Sequence, residues 1–244
     1  QLYFSVIMLH RFFSESPIRE GPVQIAGAEA HHLLHVLRLG VGDEVMLFDG
    51  RGDEFRASIA NVSRQEVECI VEERIAADRE LAFDLTLGVA LPKGDRQRWL
   101  VEKAVELGVT QIIPLRCDRS VVRGSDRPSE RLQRAVIEAS KQCGRNRLAE
   151  IAPAADFVDW VDRTPVGGLR LFAHPAASKP IQDLLVYNVL TKVDIAIGPE
   201  GGFSQEEFAL ARTAGWHPVN LGPRLLRVET AALAALSAVA LKNP

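Results

Sequence analysis

Cysteine is scarce in this 244-residue chain: its three thiols, Cys69, Cys117 and Cys143, are widely spaced and form no CxxC pair. That argues against a zinc ribbon or a disulfide frame and implies reduced thiols in a cytosol. Long apolar runs are missing as well. The longest apolar helical stretch, Thr230–Leu241, is about half the ~20 residues a membrane span needs. There is no HExxH motif, no internal repeat and no low-complexity tract. No G-x-G-x-x-G opens a helix after the first strand of the C-terminal part, which disfavours a dinucleotide enzyme. Neither charge dominates: 29 basic residues stand against 32 acidic ones for a net charge of −3, so the whole molecule is not a basic nucleic-acid binder. Residues 1–7 look like a tag remnant, with Met8 the expected start.

What is present divides into two patterns. With 47% hydrophobic residues the chain can bury one large core or two smaller ones. In Met8–Ala76, short alternating segments (Val45/Leu47, Phe55/Ala57/Ile59, Val67/Cys69/Val71) are separated by turn signals at Gly40–Asp43 and Asp49–Asp53. They predict a small β-barrel with one helical piece at Glu29–Leu37. A polar linker follows around Ala76–Glu80. From Ala77 to Pro244, strands near Phe83–Ala90, Val109–Leu115, Leu169–Ala173, Val193–Ile197 and Val219–Leu221 alternate with helical stretches. That order predicts an α/β unit with a mostly parallel sheet.

The chemistry-bearing signal lies in Ile195–Ala231. An apolar run ends at Gly198-Pro199-Glu200-Gly201-Gly202, and a second reaches Leu221-Gly222-Pro223-Arg224-Leu225-Leu226-Arg227-Val228-Glu229-Thr230-Ala231. Glycines are needed where φ is positive or where a ligand approaches the backbone, and α/β sheets bind ligands at the carboxyl ends of their strands. Between the turns, Ser204 and Glu207 form a capping box, and the helix carrying Phe208, Leu210 and Ala211 stops at Gly215. One such turn alone is equally well a plain connector.

Charge is unevenly placed. Between Arg116 and Arg147 stand nine cations, including Arg119, Arg123, Arg127 and Arg145, against four acids, among them Asp126. The segment is +5 and the remainder −8, the footprint of phosphate contact or else of a solvated helix face. His31 and His35 have the spacing of a metal pair, but no third ligand accompanies them. A polar surface helix is the preferred reading, and no metal is expected.

In combination these motifs resemble the RsmE family of 16S rRNA uridine methyltransferases, within the SPOUT superfamily. Further matching blocks are Pro92–Arg96, Glu102–Val109, Arg119-Ser120 and Ala139–Arg147, and the likeness runs from His10-Arg11-Phe12-Phe13 to the C-terminus. Ala149 stands where the family usually has proline. The resemblance implies a PUA-like RNA-binding barrel over Met8–Ala76 and, over Ala77–Pro244, a SPOUT methyltransferase domain with a C-terminal trefoil knot. It implies the 16S rRNA (uracil(1498)-N(3)) methyltransferase activity with S-adenosylmethionine as methyl donor. The protein would act in the cytoplasm as a homodimer on ribosomal RNA or the small ribosomal subunit. A silent RNA-binding module of the same fold is the alternative from another class. The donor would be held by Leu171, His174, Ile197, Gly198, Pro199, Glu200, Gly201, Gly202, Leu221, Gly222, Leu225, Leu226, Arg227, Thr230 and Ala231. Arg227 and Glu229 are the candidate catalytic residues, the latter as base, as a helix cap or as the group orienting Arg227. Arg11, Arg38, Lys93, Arg119, Gln142 and Arg145 are candidates for RNA contact.

Overall fold

A computed structural model describes residues 9–120, 129–165, 167–185 and 190–242. Residues 1–7, Met8, Arg123, Asp126 and Arg127, all used above, lie outside the described residues. The chain divides into two compact units: residues up to Glu80 together with Ser140–Leu148, and Leu81–Ala139 together with residues from Ala149 onward.

The first unit is a five-stranded sheet of β1 (Arg11–Phe13), β2 (Gly21–Ala26), β3 (Glu44–Phe48), β4 (Glu54–Val62) and β5 (Glu66–Ile75) in the order β1-β3-β4-β5-β2. Among the described residues of this unit, only the β1–β3 strand pairing is parallel. Alternation along β3 and β5 sends Val45, Leu47, Val67 and Cys69 into one core with Phe12, Ile25, Leu33 and Ile59. The register shifts twice between β4 and β5, and such bulges bend a sheet. β1 and β2 remain the two edges of the sheet, which is thus a half-barrel. The expected helix is there in two parts: α1 (Gly27–His31) runs into a π-helical turn over His32–Val36.

Ser140–Leu148 is fastened into this first unit by polar side chains. Arg145 donates through Nε and Nη2 to Glu80 and is 4% exposed. Asn146 Nδ2 donates to the Ala77 carbonyl at 3.1 Å, Arg11 Nη2 donates to Asn146 Oδ1 at 2.6 Å, and Lys141 Nζ donates to Glu29 at 2.8 Å. Arg11 and Arg79 both donate to the buried Glu54. Burial pushes the Glu54 carboxyl up, but the Arg79 and Arg11 guanidiniums outweigh it and hold the group below its usual range.

In the second unit every pairing is parallel. The strands are β6 (Asp84–Val89), β7 (Gln111–Arg116), β8 (Glu150–Ile151), β9 (Ala155–Asp156), β10 (Leu169–Ala173), β11 (Lys192–Ile197) and β12 (His217–Val219). Their order is β12-β10-β11-β6-β7-β8, with β9 also on β7. Parallel strands need crossovers. The helices of this part of the chain are α2 (Arg96–Glu106), α3 (Glu130–Cys143, whose last turn from Ser140 belongs with the first unit), α4 (Phe157–Arg163), α5 (Ile181–Leu185), α6 (Gln205–Thr213) and α7 (Val228–Ala240). β11 is buried throughout except at Lys192, as a central parallel strand must be. The last strand begins two residues earlier than its apolar pattern predicts. It includes Pro218, which an edge strand tolerates because its N–H side needs no partner. Among the described residues no helix is long and apolar enough to cross a membrane.

Candidate active site

Because all strands of the second unit run the same way, their outgoing loops gather at one edge. β11 ends at Ile197 and continues into Gly198–Gly202, where the Gly202 N–H donates to the Pro199 carbonyl at 2.8 Å. That turn requires φ of +71° at Gly202, and a Cβ there would meet no atom of the described residues within 4 Å. The glycine thus leaves open backbone beside a cavity. At Gly201 the reason differs, since a Cβ would stand 3.1 Å from the Arg119 Cβ.

Loops after β10, β11 and β12 enclose a cavity of about 390 Å³, in the size range of small-molecule sites. Of the expected donor-binding residues, His174, Ile197, Gly198, Pro199, Glu200, Gly201, Gly202, Leu221, Gly222, Leu225, Leu226 and Ala231 line it. Leu171 is wholly buried in β10, while Thr230 and Arg227 are exposed at the start of α7; these three are off the wall. The wall gains Arg119, Ala173, Pro175, Ala176, Phe203, Arg224 and Val228. His174 Nδ1 accepts from the Ala176 N–H at 3.2 Å, and its ring stands edge-on to Phe208. Burial lowers the pKa of His174, so the imidazole is neutral at pH 7.

The loop after β7 is fixed to the same wall. Ser204 and Glu207 make the expected capping box at α6, and Glu207, 2% exposed, also accepts the Asp118 N–H at 2.9 Å. Ser204 Oγ donates to Asp118 Oδ2 at 2.8 Å. So anchored, Arg119 donates through Nη1 to the Gly201 carbonyl at 3.0 Å.

A second, smaller cavity of about 220 Å³ lies beside the first at the ends of β6, β7 and β11, lined by Ala90, Leu91, Lys93, Arg96, Ser120, Pro199 and Glu200. Pro199 and Glu200 belong to both cavities. Arg96 forms ion pairs with Glu229 at 3.4 Å and with Glu200 at 4.0 Å. Glu229 is 8% exposed, lines neither cavity, and its Oε2 is buried without a hydrogen-bond partner among the described residues. The blocks holding Arg96 and Ser120 are recognisable in the sequence, but nothing in them assigns either residue a role. The missing signal is that β6 and β11 are neighbours.

The other expected RNA-contact residues are dispersed. Arg38 is exposed and, alone among non-glycine residues described, has positive φ (+58°), closing the π-helical turn. Gln142 is exposed at the end of α3, whereas Arg11 and Arg145 are held in the ionic contacts of the first unit. His31 and His35 are exposed with ring centroids 4.8 Å apart.

A half-barrel unit and a parallel-sheet unit with a loop-built cavity at its carboxyl edge define a two-part α/β protein with a small-molecule site. The family model described as an RNA methyltransferase domain matches residues 79–240, and that of the RNA methyltransferase PUA domain matches residues 25–72. The Bacillus subtilis ribosomal RNA small subunit methyltransferase E is 31% identical over 95% of this chain and 96% of its own length. The Neisseria gonorrhoeae protein of the same name, solved with S-adenosyl methionine, superposes with a TM-score of 0.87 at 31% identity, covering 94% of this chain and 96% of that one. A Legionella pneumophila protein, described as a methyltransferase and solved with bound SAM, gives 0.86 at 33% identity over 96% and 97% of the two chains. The chain belongs to the family of the ribosomal RNA small subunit methyltransferases E, within the RNA methyltransferases.

Proposed function

We propose that this protein methylates N3 of a uracil in small-subunit ribosomal RNA, with S-adenosylmethionine as donor. The observation that carries the reading is the 390 Å³ cavity built from the two glycine-bearing turns, in a family whose solved relatives hold that donor. The residues fit the group. Ile197, Leu221, Leu226 and Val228 give apolar surface for an adenine ring, and the open backbone at Gly202 admits close approach. The donor supplies a methyl already activated on a sulfonium.

The chain's own residues then bind, orient and manage a proton. Aligning N3 with the methyl is a positioning task, and N3 carries a proton in the neutral imide, so the developing anion needs stabilisation. Arg227, exposed at the N-cap of α7, is the proposed charge for substrate from the second turn. For Glu229 the geometry favours holding Arg96 over acting as the base, since it faces neither cavity. The exposed Arg38 and Gln142 are proposed to contact RNA. Lys93 and Arg119 are proposed to do so near the cavities, and Arg11 and Arg145 by shaping the surface that carries Gln142. The target base is unpaired or flipped when it reacts. The trefoil knot, the homodimer and a cytoplasmic location belong to this reading as well.

Three measurements test it. Calorimetry is expected to detect S-adenosylmethionine binding and none of NAD. Labelled methyl from the donor, traced by mass spectrometry of nucleosides from treated small-subunit rRNA, is expected in N3-methyluridine. Label in any other nucleoside overturns the assignment. Light scattering is expected to give about twice the 26.8 kDa chain mass.

A further inference from the structure

The second cavity has walls of four chemical kinds, one of them the Ser120 hydroxyl, which can donate or accept. Ala90, Leu91 and Pro199 are apolar, Lys93 and Arg96 are cations with N–H groups to donate, and Glu200 is a carboxylate that only accepts. A phosphate matches the cations but is opposed by Glu200. A flat neutral heterocycle is opposed by none of them. The edge of uracil presents acceptor, donor, acceptor: O4, N3–H and O2. Two cationic donors and one accepting carboxylate are the complementary set of groups. Cytosine presents an amino donor and an N3 lone pair instead, which would set its lone pair against the carboxylate. At about 220 Å³ the cavity is smaller than the ~300–1,000 Å³ of sites for drug-sized ligands. It abuts the larger cavity across Pro199 and Glu200, the two residues common to both.

We propose that this smaller cavity is the acceptor-base subsite, taking a flipped-out uracil against Leu91 and Pro199, with Lys93 and Arg96 donating to its carbonyl oxygens and Glu200 accepting its N3 proton. The proposal rests on the methyltransferase reading and deepens it. Arg96 is the pivot. It reaches the subsite from the start of α2, and its ion pairs with Glu229 and Glu200 fix it against both glycine-bearing turns. Glu229 is thereby a positioning residue. A carboxylate is a much weaker base than a uracil anion, so the transfer proceeds only where cations stabilise the charge spreading to O2 and O4. Glu200 takes the proton from N3. The N3 lone pair forms the N–C bond as the methyl's bond to sulfur breaks, and that electron pair stays on sulfur as a thioether. The proton on Glu200 then passes to water.

Binding is tested first, with 5-fluorouridine 5′-monophosphate as a fluorine NMR probe on the full chain in the presence of S-adenosylhomocysteine. The wild type is expected to broaden the probe's line. Lys93→Ala and Arg96→Ala are expected to weaken its binding at least fivefold while keeping S-adenosylmethionine affinity within threefold by calorimetry. Equal probe binding by the wild type and both variants overturns the subsite, as does loss of donor affinity in these variants. Chemistry is tested by single-turnover methylation of small-subunit rRNA transcribed with uridine or with 5-fluorouridine. Glu200→Gln is expected to slow transfer to uridine about 100-fold or more. Its rate is expected to rise tenfold per pH unit, because hydroxide then supplies the anion. Fluorination acidifies N3 and is expected to recover at least tenfold of the loss. A Glu200→Gln enzyme with wild-type rate, or one slowed equally on both RNAs with an unchanged pH profile, overturns the assignment of the base. If instead the wild type neither binds S-adenosylmethionine nor transfers methyl, the methyltransferase reading itself fails.

Discussion

His174 lies on the wall of the larger cavity, and its burial gives it a direction of response to pH. The neutral ring accepts the Ala176 N–H; the imidazolium has no lone pair left for that bond and adds positive charge beside a sulfonium ligand. A histidine whose folded pKa lies below its ordinary 6.5 contributes stability that is full above that value and lost as pH falls. S-adenosylmethionine affinity is therefore expected to weaken progressively below about pH 6.5, and to do so much less in His174→Gln. Calorimetry across the range decides it, and a flat wild-type profile removes His174 from the account. Single residues were legible where chemistry forces a type, as at Gly202 with its positive φ. Arg38 adopts the same left-handed region, at a cost of roughly 1–2 kcal/mol, and nothing in its residue type announces it.

Among elements, α6 shows how much one carboxylate fixes. Glu207 accepts the Ser204 N–H at 2.7 Å and the Asp118 N–H at 2.9 Å, so it both caps the helix and holds the loop that bears Arg119 and Ser120. Glu207→Ala leaves two N–H groups without these partners. It is expected to lose about 3 kcal/mol in urea denaturation and to weaken donor binding through the displaced Arg119. The exposed neighbour Glu206→Ala is expected to stay within about 0.5 kcal/mol. The capping box was readable from spacing alone; the tie to Asp118, 89 residues away, was not. The same contrast runs through the strands. β3, β4, β5, β6, β10 and β11 carry alternation or apolar runs long enough to recognise. β1, β8 and β9 have two or three residues each and no period to read. The larger cavity was legible because its glycines announce the turns. The smaller one depends on β6 lying beside β11, and strand order is not written in periodicity.

For the molecule as a whole, the decisive arrangement is that Ser140–Leu148 completes the first unit. Arg145, expected from the sequence to touch RNA, has its guanidinium inside that unit against Glu80. Arg145→Ala leaves Glu80 without that partner and is expected to destabilise the first unit by about 3–5 kcal/mol, seen as a lowered thermal transition. A variant that melts like the wild type and loses only RNA affinity contradicts this. The depressed Glu54 carboxyl sets a further sign: its contribution is present above the ordinary carboxylate value of 4.5 and is lost as pH falls through the folded one. The polar stretch around Ala76–Glu80 predicts a single boundary there. Composition carries no trace of a chain that comes back. That return imposes an order on synthesis. When the first eighty residues have left the ribosome, Glu80, Glu29 and Arg11 still lack their partners Arg145, Lys141 and Asn146. The amino-terminal unit must wait, incomplete, until sixty-eight more residues have been made. The stretch that ends at Glu80 cannot be finished from its own residues.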